Sequence, residues 1–347
     1  MSGSSPQVLP PRFQLARMIS SIWVPQAIYA TAKLGLADVL APGALSDRQV
    51  AEKAGTHPAA TQRLLRALVV LGLVRRGDDG PLELTDLGRC LTSDAPDSVR
   101  SWALLWGGPM VWTPWGRLAD CVRTGEMAPK LLEGVDSSFE LMERYPDDLE
   151  HFNRSMLELT RGVAAVLPAA YDFSKARLVV DVGGGFGALL APLLHAWPGL
   201  RGLVYDLPRC ADGARKLMAE EGLADRCAFQ PGDFFEAVPS GADVYLLKSV
   251  IHDWDDAHAR GILARCREAK GPDSRLLVLE WIVPDRVGPG DAGIVGADLN
   301  MLVMVGGQER TQAEYRDLLA SAGLRVARII PTPAGMSLIE ATFDSGE

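Results

Sequence analysis

Among the chain's five histidines, His252 stands in an acid-rich run, SVIHDWDD, with Asp253 beside it. An imidazole titrates near neutrality, so it is suited to removing a proton from a weakly acidic acceptor group. A second chemistry-bearing stretch lies upstream. Asp181 runs into Val182-Gly183-Gly184-Gly185-Phe186-Gly187, followed by the apolar segment ALLAPLLHAW. Glycines let the backbone turn sharply and let a ligand approach with no Cβ in the way. Asp206 in YDLP and Asp233 in PGDFFE place two further carboxylates at the ends of short apolar runs. His57, His151, His195 and His258 have no comparable surroundings and read as surface or hydrogen-bonded structural residues.

These groups need a scaffold, and the pattern around them supplies one. After about Tyr171, β-branched runs alternate with helical segments: RLVVDV (177–182), GLVYDL (202–207), CAFQ (227–230), DVYLLK (243–248) and RLLVLEW (275–281). That alternation predicts an α/β fold, a doubly wound, Rossmann-like parallel sheet. RVARIIP (325–331) and SLIEATF (337–343) are joined by a few residues only, which predicts an antiparallel hairpin at one edge. The glycine turn then falls at the carboxyl end of a strand, where open α/β sheets bind nucleotides.

The turn does not by itself name the nucleotide. Gly183, Gly185 and Ala188 also satisfy G-x-G-x-x-A, so an NAD-dependent oxidoreductase is a competing reading. Asp206, 23 residues after Gly183, can accept from ribose hydroxyls in either case, or simply cap a turn. Two features favour an adenosyl amino acid over a pyrophosphate. Asp181, two residues before the glycines, can hold a cationic amino group directly or through water. Asp233 is placed to take an adenine amine, with Phe234 covering the ring.

The first half of the chain has a different texture. Residues 1–12 are Ser/Pro-rich and read as a disordered arm. Residues 13–97 form the next expected domain. From Phe13 to about Ala37, apolar residues recur at helical spacing in a stripe too broad for a solvent-facing helix, fitting a core or a subunit interface. In residues 45–92, Ser46 reads as an N-cap, Gly55 as a helix end and Pro58 as a helix start, and Gly77-Asp78-Asp79-Gly80 as a hairpin turn. The pattern resembles a winged helix. Arg63 and Arg66 lie on its second helix, but Ala59, Ala60 and Leu64 leave few groups able to read bases, so a structural module is expected. Residues 98–170 read as a helical, substrate-side segment. Trp102, Trp106, Trp112 and Trp115 fall within fourteen residues of it, fitting either core packing or a flat organic ligand. The sheet domain is expected over 171–347, with Val283–Gly293 as a lid or connector.

Composition narrows the partners. With 48% hydrophobic and 23% charged residues, the 347-residue chain is of ordinary globular type. A net charge of −9 argues against a nucleic-acid partner, which normally meets a basic face. The five cysteines (Cys90, Cys121, Cys210, Cys227, Cys266) form no C-x-x-C pair, so neither a metal site nor a disulfide framework is indicated, and a reduced cytoplasmic setting is expected. No signal peptide or membrane-length apolar run is visible.

Six segments together resemble the motifs of S-adenosylmethionine-dependent small-molecule O-methyltransferases, the family of plant caffeate and flavonoid enzymes and bacterial natural-product enzymes. They are VVDVGGGFG (179–187), YDLP (205–208), PGDFFE (231–236), LLKSVIHDWDD (246–256), LLVLEW (276–281) and GGQERTQAEY (306–315); FNRSM (152–156) is similar to the family's substrate-side helix. The resemblance implies a methyltransferase sheet behind a helical, winged-helix-like domain that makes an intertwined homodimer. It implies S-adenosylmethionine contacts at Gly183, Asp206, Leu207, Asp233, Phe234 and Lys248, to which the residue pattern adds Asp181 and Gly185. It assigns proton abstraction to His252, flanked by Glu280 and Glu309, and matches Asp253 without fixing its role. Trp106, Phe152, Met156, Asn300 and Met304 are the candidate acceptor contacts, and a flat or hydrophobic small molecule with one acidic group is the expected acceptor. Transfer to an activated carbon, chemistry without methyl transfer, the NAD-dependent oxidoreductase and a DNA-binding regulator are the other readings.

Overall fold

The apolar stripe at the start of the chain folds as three helices rather than one: Pro11–Ser20, Trp23–Lys33 and Leu36–Leu40. This computed structural model describes residues 9–77, 80–135 and 138–343, so residues 1–8 of the expected arm lie outside it. Gly35, at φ +64°, makes the second of the two breaks between these helices possible without a Cβ penalty. The first helix buries none of its residues; Met18 is 70% and Ile19 71% exposed, beside exposed Phe13, Leu15, Ile22 and Trp23. From Ala27 onward the stripe turns inward, with Ala32, Leu36, Ala37 and Leu40 buried.

The helix–turn–helix–hairpin follows. Ser46 caps helix Asp47–Ala54 through a reciprocal box, its backbone N–H donating to Gln49 Oε1 at 2.9 Å. Pro58 opens helix Pro58–Val70. Strands β1 (Val74–Arg76) and β2 (Leu82–Leu84) pair antiparallel, and Leu82 also bridges Leu45. Asp78 and Asp79 of the expected turn lie outside the described residues. Leu36, Val50, Leu65, Leu68 and Leu82 close a core of their own. Contacts divide the chain into this unit, which runs to Trp112 and takes in Tyr145–Ser155, and a second made of Thr113–Arg144 and the chain from Met156 onward. The 98–170 stretch is helical in pieces, ending in the 25-residue helix Pro146–Ala170.

The second unit carries the sheet. Its strands are β3 (Leu178–Val182), β4 (Arg201–Asp206), β5 (Cys227–Pro231), β6 (Val244–Lys248) and β7 (Arg275–Glu280). A two-residue pair, β8 (Ile282–Val283) with β9 (Arg310–Thr311), follows, then β10 (Leu324–Pro331) and β11 (Ser337–Phe343). The seven-stranded order is β10-β11-β7-β6-β3-β4-β5, parallel from β7 to β5, with β11 antiparallel to β7 and β10 closing the edge hairpin. Val179 points into one core with Leu190, Leu193 and Leu194; Val180 and Val182 point into the other with Ile262, Leu263 and Leu318. Burial on both faces is why these strands read as continuous apolar runs. Strand order reverses at β3, which lies between β4 and β6, so the carboxyl ends of β3 and β6 flank the crevice where such sheets take ligands. Val283–Gly293 runs from β8 through a short 3₁₀ turn, Pro289–Asp291, into helix Ala292–Met304.

Candidate active site

The glycine turn leaves β3 in a conformation that only glycine holds without strain. Gly183, Gly185 and Gly187 lie at φ +70°, +57° and +82°. A Cβ on Gly183 would stand 2.8 Å from Val250 Cγ2 and 3.6 Å from the Phe234 ring, whereas one on Gly185 would meet nothing within 4 Å. The turn is therefore packed from behind at its first glycine and open at Gly185. The Asp206 carboxylate holds it: Gly185 N–H donates to Oδ2 at 2.7 Å and Leu207 N–H to Oδ1 at 2.6 Å. Oδ1 also accepts from Cys210 Sγ at 3.5 Å, whereas Oδ2 keeps a second lone pair for a ligand hydroxyl. Asp233, after β5, accepts from Phe235 N–H through Oδ1 at 2.8 Å. Phe234, Phe235 and Trp254 pack edge-on beside it, with centroids 4.9 Å (Phe234–Phe235) and 4.7 Å (Phe235–Trp254) apart.

Asp181 is buried at the end of β3, and its Oδ2 has no hydrogen-bond partner among the described residues. Burial pushes its carboxyl up to about 7, with Asp206 adding to the effect and Lys248 opposing it. Lys248, at the end of β6, is moved below its ordinary value by burial, against the pull of Glu280, Asp181 and Asp253.

His252 sits in the one-turn 3₁₀ helix Ile251–Asp253 that follows β6, with its side chain 12% exposed. Nδ1 lies 2.8 Å from Glu309 Oε1 and 3.5 Å from Glu280 Oε2, while Nε2 is 3.5 Å from Asp253 Oδ1. Glu280 closes β7 and is wholly buried; its Oε1 accepts the backbone N–H groups of Val250 (3.1 Å), Ile251 (2.9 Å) and His252 (3.4 Å). The carboxylate thus caps the turn that carries the ring, and the positive end of that turn favours its charge. Burial pulls the ring toward its neutral form, but Glu280, Asp253 and Glu309 outweigh it and push His252 up to about 10. Burial likewise pushes Glu280 up to about 7 against the nearby ring, and raises Asp253.

His252, Glu280 and Glu309 bring ligand-type atoms within 4.8 Å of one another, a grouping that the sequence expectation of no metal site did not foresee. Glu309 already holds Nδ1, and three backbone amides hold Glu280, so the trio is knit by hydrogen bonds among the protein's own groups.

The acceptor-side residues are divided. Trp106 and Phe152 belong to the first unit, where the Trp106 ring tilts against Trp102 at 5.3 Å. Met156, Asn300 and Met304 belong to the second. Asn300 and Met304 are four residues apart on helix Ala292–Met304; Asn300 Oδ1 accepts from Trp115 Nε1 at 3.1 Å, and the carbonyl of buried Met304 accepts from Ser138 Oγ. Sequence reasoning gave no role to Asp298, whose Oδ1 accepts from Glu309 N–H at 2.9 Å, or to Arg310, a fully buried guanidinium. Arg310 stood inside a quoted motif, GGQERT, but nothing in the pattern marks an arginine as buried.

The O-methyltransferase dimerisation domain matches residues 16–94 and the O-methyltransferase domain residues 115–325. The mitomycin biosynthesis 6-O-methyltransferase of Streptomyces lavendulae is 40% identical over 319 residues, 92% of this chain and 90% of that one. The phenazine O-methyltransferase PhzM of Lysobacter antibioticus is 37% identical over 329 residues, covering 94% and 95%. Among solved structures, the O-methyltransferase NcsB1 from neocarzinostatin biosynthesis, in complex with S-adenosylmethionine and 2-hydroxy-5-methyl naphthoic acid, has a TM-score of 0.80 at 34% identity, covering 98% of this chain and 100% of that one. With both domains matched in order and relatives aligned over nearly its full length, the chain belongs to the O-methyltransferase family.

Proposed function

We propose that this enzyme transfers a methyl group from S-adenosylmethionine to a hydroxyl of a small aromatic acceptor of natural-product type, with His252 as general base. We further propose that it works as a homodimer in the cytoplasm. The observation that carries the reading is the 2.8 Å contact between His252 Nδ1 and Glu309, made at the end of β6 beside the glycine turn. The relatives are named for methylating oxygens of phenazine and mitomycin compounds, and NcsB1 for a complex with the methyl donor and a naphthoic acid.

The residues fit that donor. Gly185 leaves open space, Asp181 offers a buried oxygen, unpartnered among the described residues, to a cationic amino group, and Asp206 Oδ2 has a lone pair for a ribose hydroxyl. Asp233 and Phe234 would hold the adenine, and Leu207 and Lys248 are the further residues we assign to the donor. When bound, S-adenosylmethionine supplies a methyl group made electrophilic by its sulfonium. The protein's part is to hold the acceptor in line, exclude water and remove one proton. A phenol, with a pKa of about 10, keeps its proton at neutral pH. With Nδ1–H donated to Glu309, the lone pair of the neutral ring is on Nε2, which takes the acceptor's proton. Asp253, 3.5 Å from Nε2, and Glu280 then stabilise the imidazolium. Met156, Asn300 and Met304, in the unit that carries the sheet, are the side chains we assign to the acceptor.

Incubating the enzyme with isotope-labelled S-adenosylmethionine and a panel of hydroxylated aromatic metabolites tests the reaction. Mass spectrometry should find one labelled methyl per product, and NMR should find it on oxygen. A carbon-bound methyl would reassign the nucleophile while leaving His252 as base; no labelled product from any hydroxyaromatic would oppose the acceptor class.

A further inference from the structure

We infer that Arg310 is a positioning residue for the proton transfer: its buried guanidinium locks the His252 turn and the Glu309 loop into one register. The inference rests on His252 acting as the base and adds what aims it.

Arg310 is 1% exposed, and its donors go to both sides of His252. Nη1 donates to the Ile251 carbonyl at 3.1 Å and to that of Gln308 at 3.4 Å; Nη2 donates to the Trp254 carbonyl at 2.9 Å. Nε and Nη2 meet Asp256 Oδ1 at 3.1 and 2.8 Å, the carboxylate that neutralises the buried charge. The backbone completes the tie. Gln308 N–H donates to the His252 carbonyl at 2.9 Å, and Arg310 pairs with Ile282, two residues after Glu280. One residue thus adjoins Glu309 in the chain, pairs beside Glu280 in β8, and brackets His252 by hydrogen bonds.

The approach is tight. A Cβ on Gly307 would stand 2.0 Å from the His252 carbonyl oxygen, so the loop rests directly on the turn. A guanidinium is a planar fork of five donors that stays charged, and three carbonyls plus a carboxylate use that fork. An ammonium offers three donors around one point and cannot span the same acceptors. The glycine turn and Asp206 make none of these bonds, so donor affinity is expected to survive the loss of Arg310.

The test compares Arg310→Lys with the parent enzyme in three readouts: kcat against pH, affinity for S-adenosylhomocysteine by calorimetry, and the His252 titration by nitrogen-15 NMR. Three carboxylates face the ring, Glu309 and Glu280 from neighbouring segments and Asp253 from its own turn, so a ring that drifts from Glu309 titrates lower. Arg310→Lys should lower kcat about 10–100-fold, as a misaimed catalytic group does, with product affinity within about twofold and the His252 titration moved down. A kcat within twofold of the parent, or a loss of product affinity matching the loss of kcat, would overturn the inference. If Arg310→Lys does not fold, Asp256→Asn serves, because Asp256 is 59% exposed and its replacement loosens the same clamp. The same directions are expected, smaller in size, and an unmoved His252 titration would overturn it. His252→Ala separates the two claims: full turnover there would refute the base, while the NMR titration of the parent and Arg310→Lys would still report on the clamp.

Discussion

His252 and Glu309 are 57 residues apart in the chain, yet Nδ1 and Oε1 meet at 2.8 Å. The contact fixes which nitrogen of the ring is turned away from the carboxylate, and it places negative charge where an imidazolium would form. With Glu280 beside the same nitrogen and Asp253 at Nε2, the surroundings favour the protonated histidine, which makes Nε2 a stronger base than an exposed imidazole.

That electrostatic bias has a sign that can be measured. The neutral ring is the active form, and its carboxylate neighbours push the titration up to about 10, so kcat should rise with pH through the neutral range and level off only in the alkaline range. Glu309→Gln keeps an acceptor for Nδ1–H but removes one negative charge. The ring then titrates lower, the acid limb of the kcat–pH profile moves to lower pH, and the plateau falls because the base is weaker. A profile unchanged in position would mean that Glu309 does not govern the ring.

The glycine turn should be intolerant at its packed end. Gly183→Ala puts a Cβ 2.8 Å from Val250 Cγ2 at φ +70°, a conformation that costs a side-chain-bearing residue about 1–2 kcal/mol before any clash. The expected result is a lowered melting temperature and a loss of S-adenosylhomocysteine affinity of about tenfold or more, read by calorimetry. Affinity equal to that of the parent would show that the turn does not line the donor site.

Ligand-induced stabilisation separates the competing nucleotide and DNA readings. A ligand that binds only the native state raises stability by about 2.7 kcal/mol at a hundred times its Kd. S-adenosylhomocysteine should raise the melting temperature, and NAD and duplex DNA should not. An equal shift with NAD would restore the dinucleotide reading left open by G-x-G-x-x-A.

The exposed face of helix Pro11–Ser20 should be covered by a second copy. The helix buries nothing within its own chain, although Leu15, Met18 and Ile19 are large and apolar. Ile19→Glu should convert a dimer to a monomer in light scattering, with little effect on the fold of the sheet unit. A dimer that survives the charge would place the interface elsewhere.

How much of this was legible beforehand follows from the kind of interaction. The strands announced themselves because a sheet buried on both faces needs unbroken apolar runs, as in LVVDV and VYLLK. The edge hairpin and the Ser46 cap depend on residues close in sequence, which local patterns report. His252 carried its own chemistry and its acids. What stayed hidden was long-range and made by backbone. The β8–β9 pair has two residues a strand, too few for a period to appear. Arg310 bonds mostly to carbonyls, which every residue has, so no side-chain pattern points to its partners. Trp115 and Asn300 meet across 185 residues. The single broad stripe at the start hid its breaks, because apolar spacing survives a turn at Gly35 that the periodicity ignores.

Replacing the imidazole itself is the most direct measurement. For His252→Ala, kcat with an accepted hydroxyaromatic and the Kd for S-adenosylhomocysteine should be determined on the same preparation. A fall in kcat of about 10²–10⁴, with that Kd unchanged, is the predicted outcome. Turnover within a few-fold of the parent would contradict the assignment of His252 as the base.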